Sequence, residues 1–80
     1  MKPARVLVYS KPGCHLCEVA EISVAQVCDE VGVGWESINI VDDPTLMATY
    51  GEQIPVIFVD GKQHDFWRVD PERLRAALTR

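Results

Sequence analysis

Ser10-Lys11-Pro12-Gly13-Cys14-His15-Leu16-Cys17 is the stretch on which the reading of this chain turns. Two cysteines stand with two residues between them. An apolar run, Val6-Leu7-Val8-Tyr9, precedes them, and a long amphipathic segment follows. The pair therefore sits where a strand hands over to a helix, a context in which this spacing signals thiol redox chemistry. At or just before a first helical turn, the sulfur of Cys14 lies near unpaired backbone N–H groups and the positive end of the helix dipole. Both favour the thiolate, which is the nucleophile. Cys17, one turn on, falls on the same side of the helix and is placed to attack Cys14 once that sulfur is in a mixed disulfide. Lys11 adds positive charge nearby, and Glu18 opposes it if it faces the sulfur.

Outward from this stretch the elements follow from local signals. Arg5 to Ser10 reads as a buried strand. Its apolar residues are continuous rather than alternating, so both faces are expected to be covered. Lys11-Pro12-Gly13 breaks it. From Cys14 to about Val31, the apolar residues Leu16, Val19, Ala20, Val24, Val27, Cys28 and Val31 recur three and four apart, which predicts a helix; Ile22 is the one large misfit. Gly32 and Gly34 stop it. Val33 to Ile40 is a second strand, and the strand–helix–strand order predicts parallel pairing with a right-handed crossover. Asp43-Pro44 opens a short helix that Gly51 ends. Ile54-Pro55 leads into a third strand, Val56–Val59, and Asp60-Gly61 turns it into a fourth, Lys62 to about Phe66. Asp70-Pro71 repeats the cap-then-proline device, with Leu74, Ala77 and Leu78 as the apolar stripe of a last helix. The order is β-α-β-α-β-β-α.

Composition narrows the function classes. Eighty residues make a single domain, 1–80, able to bury a core. The net charge is −4 and no lysine–arginine cluster occurs, which disfavours nucleic acid and anionic membrane surfaces. No apolar run exceeds five residues, far short of the roughly 20 of a membrane span. Met1-Lys2-Pro3-Ala4-Arg5 runs straight into a strand and leaves no room for a signal peptide. A cytoplasmic chain is expected, and there a Cys-x-x-Cys is catalytic or metal-binding rather than a structural staple.

In this order the chain resembles the thioredoxin fold, and within it the glutaredoxin-like proteins. The resemblance rests on the first strand, Lys11-Pro12-Gly13-Cys14-His15-Leu16-Cys17, Ile54-Pro55-Val56 and Asp60-Gly61-Lys62, and it covers essentially the whole chain. The Lys-Pro-Gly-Cys-His-Leu-Cys string is similar to that of a small glutaredoxin-like group rather than to glutaredoxins with Cys-Pro-Tyr-Cys. The resemblance implies an α/β architecture with a four-stranded mixed sheet of order 2-1-3-4 and helices on both faces. It implies a cis Pro55 beside the cysteines, Cys14 as nucleophile and Cys17 as resolving cysteine. It also implies that the backbone of Ile54 pairs with a bound thiol peptide such as glutathione and that Lys11 meets its carboxylate. One stretch departs. Typical glutaredoxins carry a Gly-Gly pair and then an aspartate after the hairpin, where this chain reads His64-Asp65-Phe66-Trp67-Arg68-Val69-Asp70. That segment is loosely similar to a corner of the glutaredoxin-like electron donors of ribonucleotide reductase, which thioredoxin reductase recharges.

Each signal has a plainer reading beside it. A helix-start Cys-x-x-Cys can be half a metal site, but zinc takes four ligands and only Cys28, His15 and His64 remain as soft candidates. Cys28 is eleven residues from Cys17, about 16 Å along a helix, whereas a disulfide needs Cα atoms within about 7 Å; it reads as a core residue. A cation at His15 would favour the Cys14 thiolate and a more oxidising disulfide, or the side chain is simply solvated. His64 reads as an exposed strand residue. Trp35, Phe58 and Phe66 read as packing, and Trp67 either as packing or as a wall of the redox groove. Arg75 and Arg80 suit the negative end of the last helix, and with Arg68 and Arg73 make a solvated face.

The expected function is that of a small dithiol–disulfide oxidoreductase. It would act on protein disulfides or glutathione mixed disulfides as a monomer, with no tightly held cofactor and with glutathione or thioredoxin reductase as electron source. The alternatives are a metal or iron–sulfur carrier using the same cysteines, and a binding module that keeps the fold without turnover.

Overall fold

The capping residues named above do what their chemistry demands. In the computed structural model, which describes residues 4–79, the elements are β1 (Ala4–Ser10), α1 (His15–Val31), β2 (Gly34–Asn39), α2 (Pro44–Tyr50), β3 (Val56–Val59), β4 (Lys62–Phe66) and α3 (Pro71–Leu78). Asp43 Oδ1 accepts from the Leu46 N–H at 3.0 Å, and Asp70 Oδ1 accepts from the N–H groups of Glu72 and Arg73 at 2.9 and 3.3 Å. Each aspartate satisfies donors that a first turn leaves open, and the following proline has no N–H to satisfy. At the other end of α1, Gly32 turns left-handed at φ 83° and its N–H donates to Cys28 O.

The sheet has the order β2-β1-β3-β4. β1 and β2 run parallel; β3 is antiparallel to both β1 and β4. The β3–β4 connection is a two-residue turn with Asp60 at φ 51° and Gly61 at φ 85°, the left-handed pair that a tight hairpin requires. Arg5 of β1 grips it from below, with Nε and Nη2 donating to the two Asp60 carboxylate oxygens at 2.9 Å each.

Helices cover both faces. On one, Val24, Val27 and Cys28 of α1 and Leu74 and Leu78 of α3 close over Val6, Val8, Ile57 and Val59. On the other, Leu46, Met47 and Tyr50 of α2 meet Tyr9, Ile38 and Ile40. The rings of Tyr9, Tyr50 and Phe58 pack there at centroid distances of 4.8 to 5.6 Å. Among the described residues, no helix is long and apolar enough to cross a membrane.

Three expectations are corrected. β1 is not equally buried on both faces: Val6 and Val8 are fully enclosed, while Leu7 and Tyr9 are half-buried. The reason is the shortness of α2, seven residues with none buried, which roofs only part of its face. The α1 stripe splits. Its second half is buried, but Leu16 and Val19 are 47% and 49% exposed, and Ile22 68%. α3 reaches over Val24 to Cys28 and not over the first turns. His64 is half-buried rather than exposed, sharing a surface hollow with Val59 and Ala77 of α3. Trp35 packs against the α1/α3 core as expected, and Phe66, 43% exposed, packs at the edge against the Trp67 ring at 5.1 Å. The readings placed on Met1–Pro3 and Arg80 lie outside the described residues.

Candidate active site

Gly13 lets the chain turn out of β1, at φ 71°. Cys14 follows as the N-cap of α1, with extended φ and ψ of −96° and 107°. Its Sγ accepts from the Cys17 N–H at 3.2 Å. The sulfur thus holds the position that a serine or aspartate oxygen takes at a helix start, facing the donors of the first turn. Cys14 and Cys17 are joined in a disulfide with Cα atoms 5.2 Å apart, within the usual span of about 4.4–6.8 Å.

The two sulfurs are not equivalent. Cys14 is half-buried, whereas Cys17 is 2% exposed and packs against Ile40 and Ile54. The fold therefore presents Cys14 to solvent and keeps Cys17 behind it. Ile54 is buried in that same cluster, and Pro55, joined to it by a cis peptide bond, is fully buried. The Pro55 carbonyl accepts from the Trp67 N–H at 2.8 Å. Among the described residues no hydrogen bond uses the Ile54 N–H or C=O.

The other candidates stand further out. Lys11 is exposed and has no carboxylate partner among the described residues. The His15 side chain is 85% exposed, with Nδ1 4.0 Å from Glu18 Oε2. Both groups are solvated, so Glu18 is engaged with His15 on the open face of the first turn. Cys28 is a free thiol, 1% exposed, and burial pushes its pKa up. It is inert packing, as its distance along the helix requires. Among the described residues, no cluster of three or more His, Cys, Asp or Glu side chains is placed to hold a metal ion.

One feature escaped the sequence, and another was signalled there by a single residue. The first is a hydrogen-bonded chain beneath the first turns of α1, in which Ser37 Oγ donates to Glu21 Oε1 at 2.8 Å and lies 3.1 Å from the Oγ of buried Ser10. Nothing in the sequence distinguishes those two serines from ordinary strand residues. The other is a groove beside the disulfide between α1 and the segment after β4, lined by His15, Leu16, Val19, Ala20, Trp67 and Arg68. Trp67 was the only signal for it. Its backbone is left-handed, φ 63°, and its side chain is 53% exposed.

The sequence model of the family described as glutaredoxin-like domain (DUF836) matches residues 5–79. The chain belongs to that glutaredoxin-like family. It is 31% identical over 85 residues to an uncharacterized protein of Mycobacterium tuberculosis, covering 100% of this chain and 88% of that one. The solution structure of protein Ne2328 from Nitrosomonas europaea is similar, with 30% identity, a TM-score of 0.82, and coverage of 99% of this chain and 95% of that one. A wheat glutaredoxin shares the fold at 23% identity and a TM-score of 0.58, covering 95% of this chain and 80% of its own. The glutaredoxin-like architecture, a thioredoxin-like fold with its four-stranded mixed sheet, is thus established for this chain.

Proposed function

We propose that this glutaredoxin-like protein is a dithiol–disulfide oxidoreductase. The observation that carries the reading is the asymmetry of the pair: Cys14 half-exposed at the helix N-cap, Cys17 buried behind it within bonding distance. In the reduced protein, the donors and dipole at the start of α1 favour a Cys14 thiolate. That thiolate attacks one sulfur of a substrate disulfide, forming a Cys14–substrate bond and releasing the other sulfur as a thiolate that takes up a proton. Cys17 then loses its proton and attacks Cys14 Sγ. The Cys14–Cys17 bond forms, the second substrate thiol leaves, and two electrons have passed to the substrate. Two glutathione thiols, or a flavin reductase of the thioredoxin reductase type, return them. Ile54, through its unpaired backbone groups, and Lys11, as the exposed cation, are the residues assigned to a bound thiol peptide, with buried Pro55 beneath them; His15 is assigned no role beyond the rim.

The test is reduction of the Cys14–Cys17 disulfide followed by NADPH loss in two arms, glutathione with glutathione reductase and thioredoxin reductase alone. Turnover in either arm that Cys14→Ser abolishes is expected, and Cys17→Ser is expected to stop at a mixed disulfide in the thioredoxin reductase arm, where no glutathione thiol is present to release it. Full turnover by Cys14→Ser, or an intact disulfide untouched in both arms, overturns the reading.

A further inference from the structure

The groove between α1 and the β4–α3 connection has a volume of about 340 Å³, at the lower end of pockets that take small ligands, roughly 300–1,000 Å³. Two independent observations define what would fill it. The first is apolar surface left open beside the disulfide. Leu16, Val19 and Trp67 are each about half exposed, and Ala20 and Val69 complete the walls. Trp67 is also held rigidly. It keeps a left-handed backbone, unfavourable for a bulky residue, because its N–H is bound to Pro55 O, its indole Nε1 donates to Glu52 O at 2.8 Å, and the Phe66 ring packs on it at 5.1 Å. Strained backbone of this kind persists only where its surroundings compel it, and it clusters at binding sites.

The second observation is charge. The structure describes four arginines. Arg5, Arg73 and Arg75 each pair with a carboxylate. Arg68, on the groove wall, has no such partner among the described residues, in a chain of net charge −4 that offers carboxylates freely. A guanidinium left unpaired at the edge of apolar surface is complementary to a carboxylate arriving on a ligand.

We infer that the groove binds a segment of a substrate protein whose reactive cysteine is flanked by an apolar side chain and a carboxylate, with Trp67 and Arg68 as the selecting residues. The inference rests on the redox reading above and names its substrate class. Glutathione brings carboxylates but no apolar side chain, so it leaves Leu16, Val19 and Trp67 uncovered. A cysteine held at Cys14 delivers its own sequence neighbours to the groove, and the choice is made by those neighbours.

The experiment uses the reduced Cys17→Ser protein, in which reaction stops at the mixed disulfide. Each probe is a thiol joined by a disulfide to thionitrobenzoate. Cys14 attacks the probe sulfur, a Cys14–probe bond forms, and thionitrobenzoate leaves as a coloured thiolate. The probes are short peptides with Leu and Glu on either side of the cysteine in both orders, the same peptides with Ser for Leu, Lys for Glu or both, glutathione, and uncharged 2-mercaptoethanol. A Leu/Glu peptide is expected to react at least about tenfold faster than the glutathione probe and the Ser/Lys peptide. Trp67→Ala is expected to erase the preference for Leu over Ser, and Arg68→Glu to invert the preference for Glu over Lys. A glutathione probe that reacts as fast as every peptide overturns the inference. So do preferences that survive both substitutions. Because the peptide swaps are read first on the unaltered groove, a variant that fails to fold does not decide the matter. The 2-mercaptoethanol probe separates the two readings. If Cys14 reacts with it but does not discriminate among peptides, the groove assignment falls and the redox reading stands. If Cys14 reacts with no probe, both fall.

Discussion

β4 is entered through Asp60 and left through Trp67, both with left-handed backbones at φ 51° and 63°, and the two ends differ in what holds them there. At the hairpin end the cause is local. Aspartate followed by glycine tolerates positive φ, and a two-residue turn demands it. Arg5 then adds a bidentate pair that pins the turn to β1. At the other end the residue is a tryptophan, at the centre of a three-residue turn closed by the Arg68 N–H on Phe66 O at 2.7 Å, a turn that is rare and strained when its central φ is positive. It is compelled by contacts with Glu52 and Pro55 in the segment before β3. The comparison separates a conformation that the chain chooses from one that the fold imposes, and the imposed one stands beside the reactive cysteines.

The largest test of the contrast is activity. Cys14→Ser is expected to lower disulfide reduction by roughly 10³-fold or more, whereas Asp60→Asn, at the far end of the sheet, leaves it within about twofold. Coupled NADPH assays on both variants measure this, and comparable losses would dissolve the distinction between the two ends. Next is the core on which both ends rest. Leu74 is fully buried between α3 and the sheet, so Leu74→Ala should cost about 2–5 kcal/mol in denaturant unfolding.

Smaller effects sharpen the comparison at the backbone itself. Gly61→Ala places a side chain at φ 85° and should destabilise by about 1–2 kcal/mol. Trp67→Gly relieves a similar strain but gives up the indole hydrogen bond, worth about 1 kcal/mol. Because the contact with the Phe66 ring is also lost, the comparison is with Trp67→Ala, which gives up the same contacts but keeps the strained Cβ: the glycine variant should be more stable by about 1 kcal/mol, and equal stabilities would mean that Trp67 is not strained. The smallest effects are in the pH dependence of stability. The Arg5 guanidinium holds the Asp60 carboxyl below the usual carboxylate range. This pair therefore stabilises above the ordinary aspartate pKa, about 3.9, and its contribution is lost as pH falls through the depressed folded value; Asp60→Asn should flatten that acid limb. Cys28 has the opposite sign. Burial raises its thiol pKa, so its contribution is complete below the unfolded value, about 8.5, and is lost as pH rises through the folded one. Melting curves of the oxidised protein, in which Cys14 and Cys17 do not titrate, should show an alkaline decline that Cys28→Ala reduces.

Features whose cause lies within a few residues were legible in the chain before it folded. The Asp-Pro pairs set the starts of α2 and α3, and Asp60-Gly61 set the hairpin. The strand-to-helix position of Cys14 set it as the N-cap, and the three-and-four spacing set α1. Each is a contest between a backbone group and a side chain close by along the chain. Which of two apolar halves of α1 is covered was settled by long-range packing, because it depends on where α3, some forty residues later, comes to rest. The same holds for the half-open outer face of β1, which depends on the length of α2, for the serine–glutamate chain joining β1, β2 and α1, and for the pairing of Arg5 with Asp60 across 55 residues. Trp67 shows the division most plainly. Its side chain could be read as packing or as a wall of the groove, and its backbone, left to itself, would not have been left-handed. Contacts to residues before β3 settled both, since a short-range preference of about 1–2 kcal/mol yields to hydrogen bonds and packing that only the folded chain supplies.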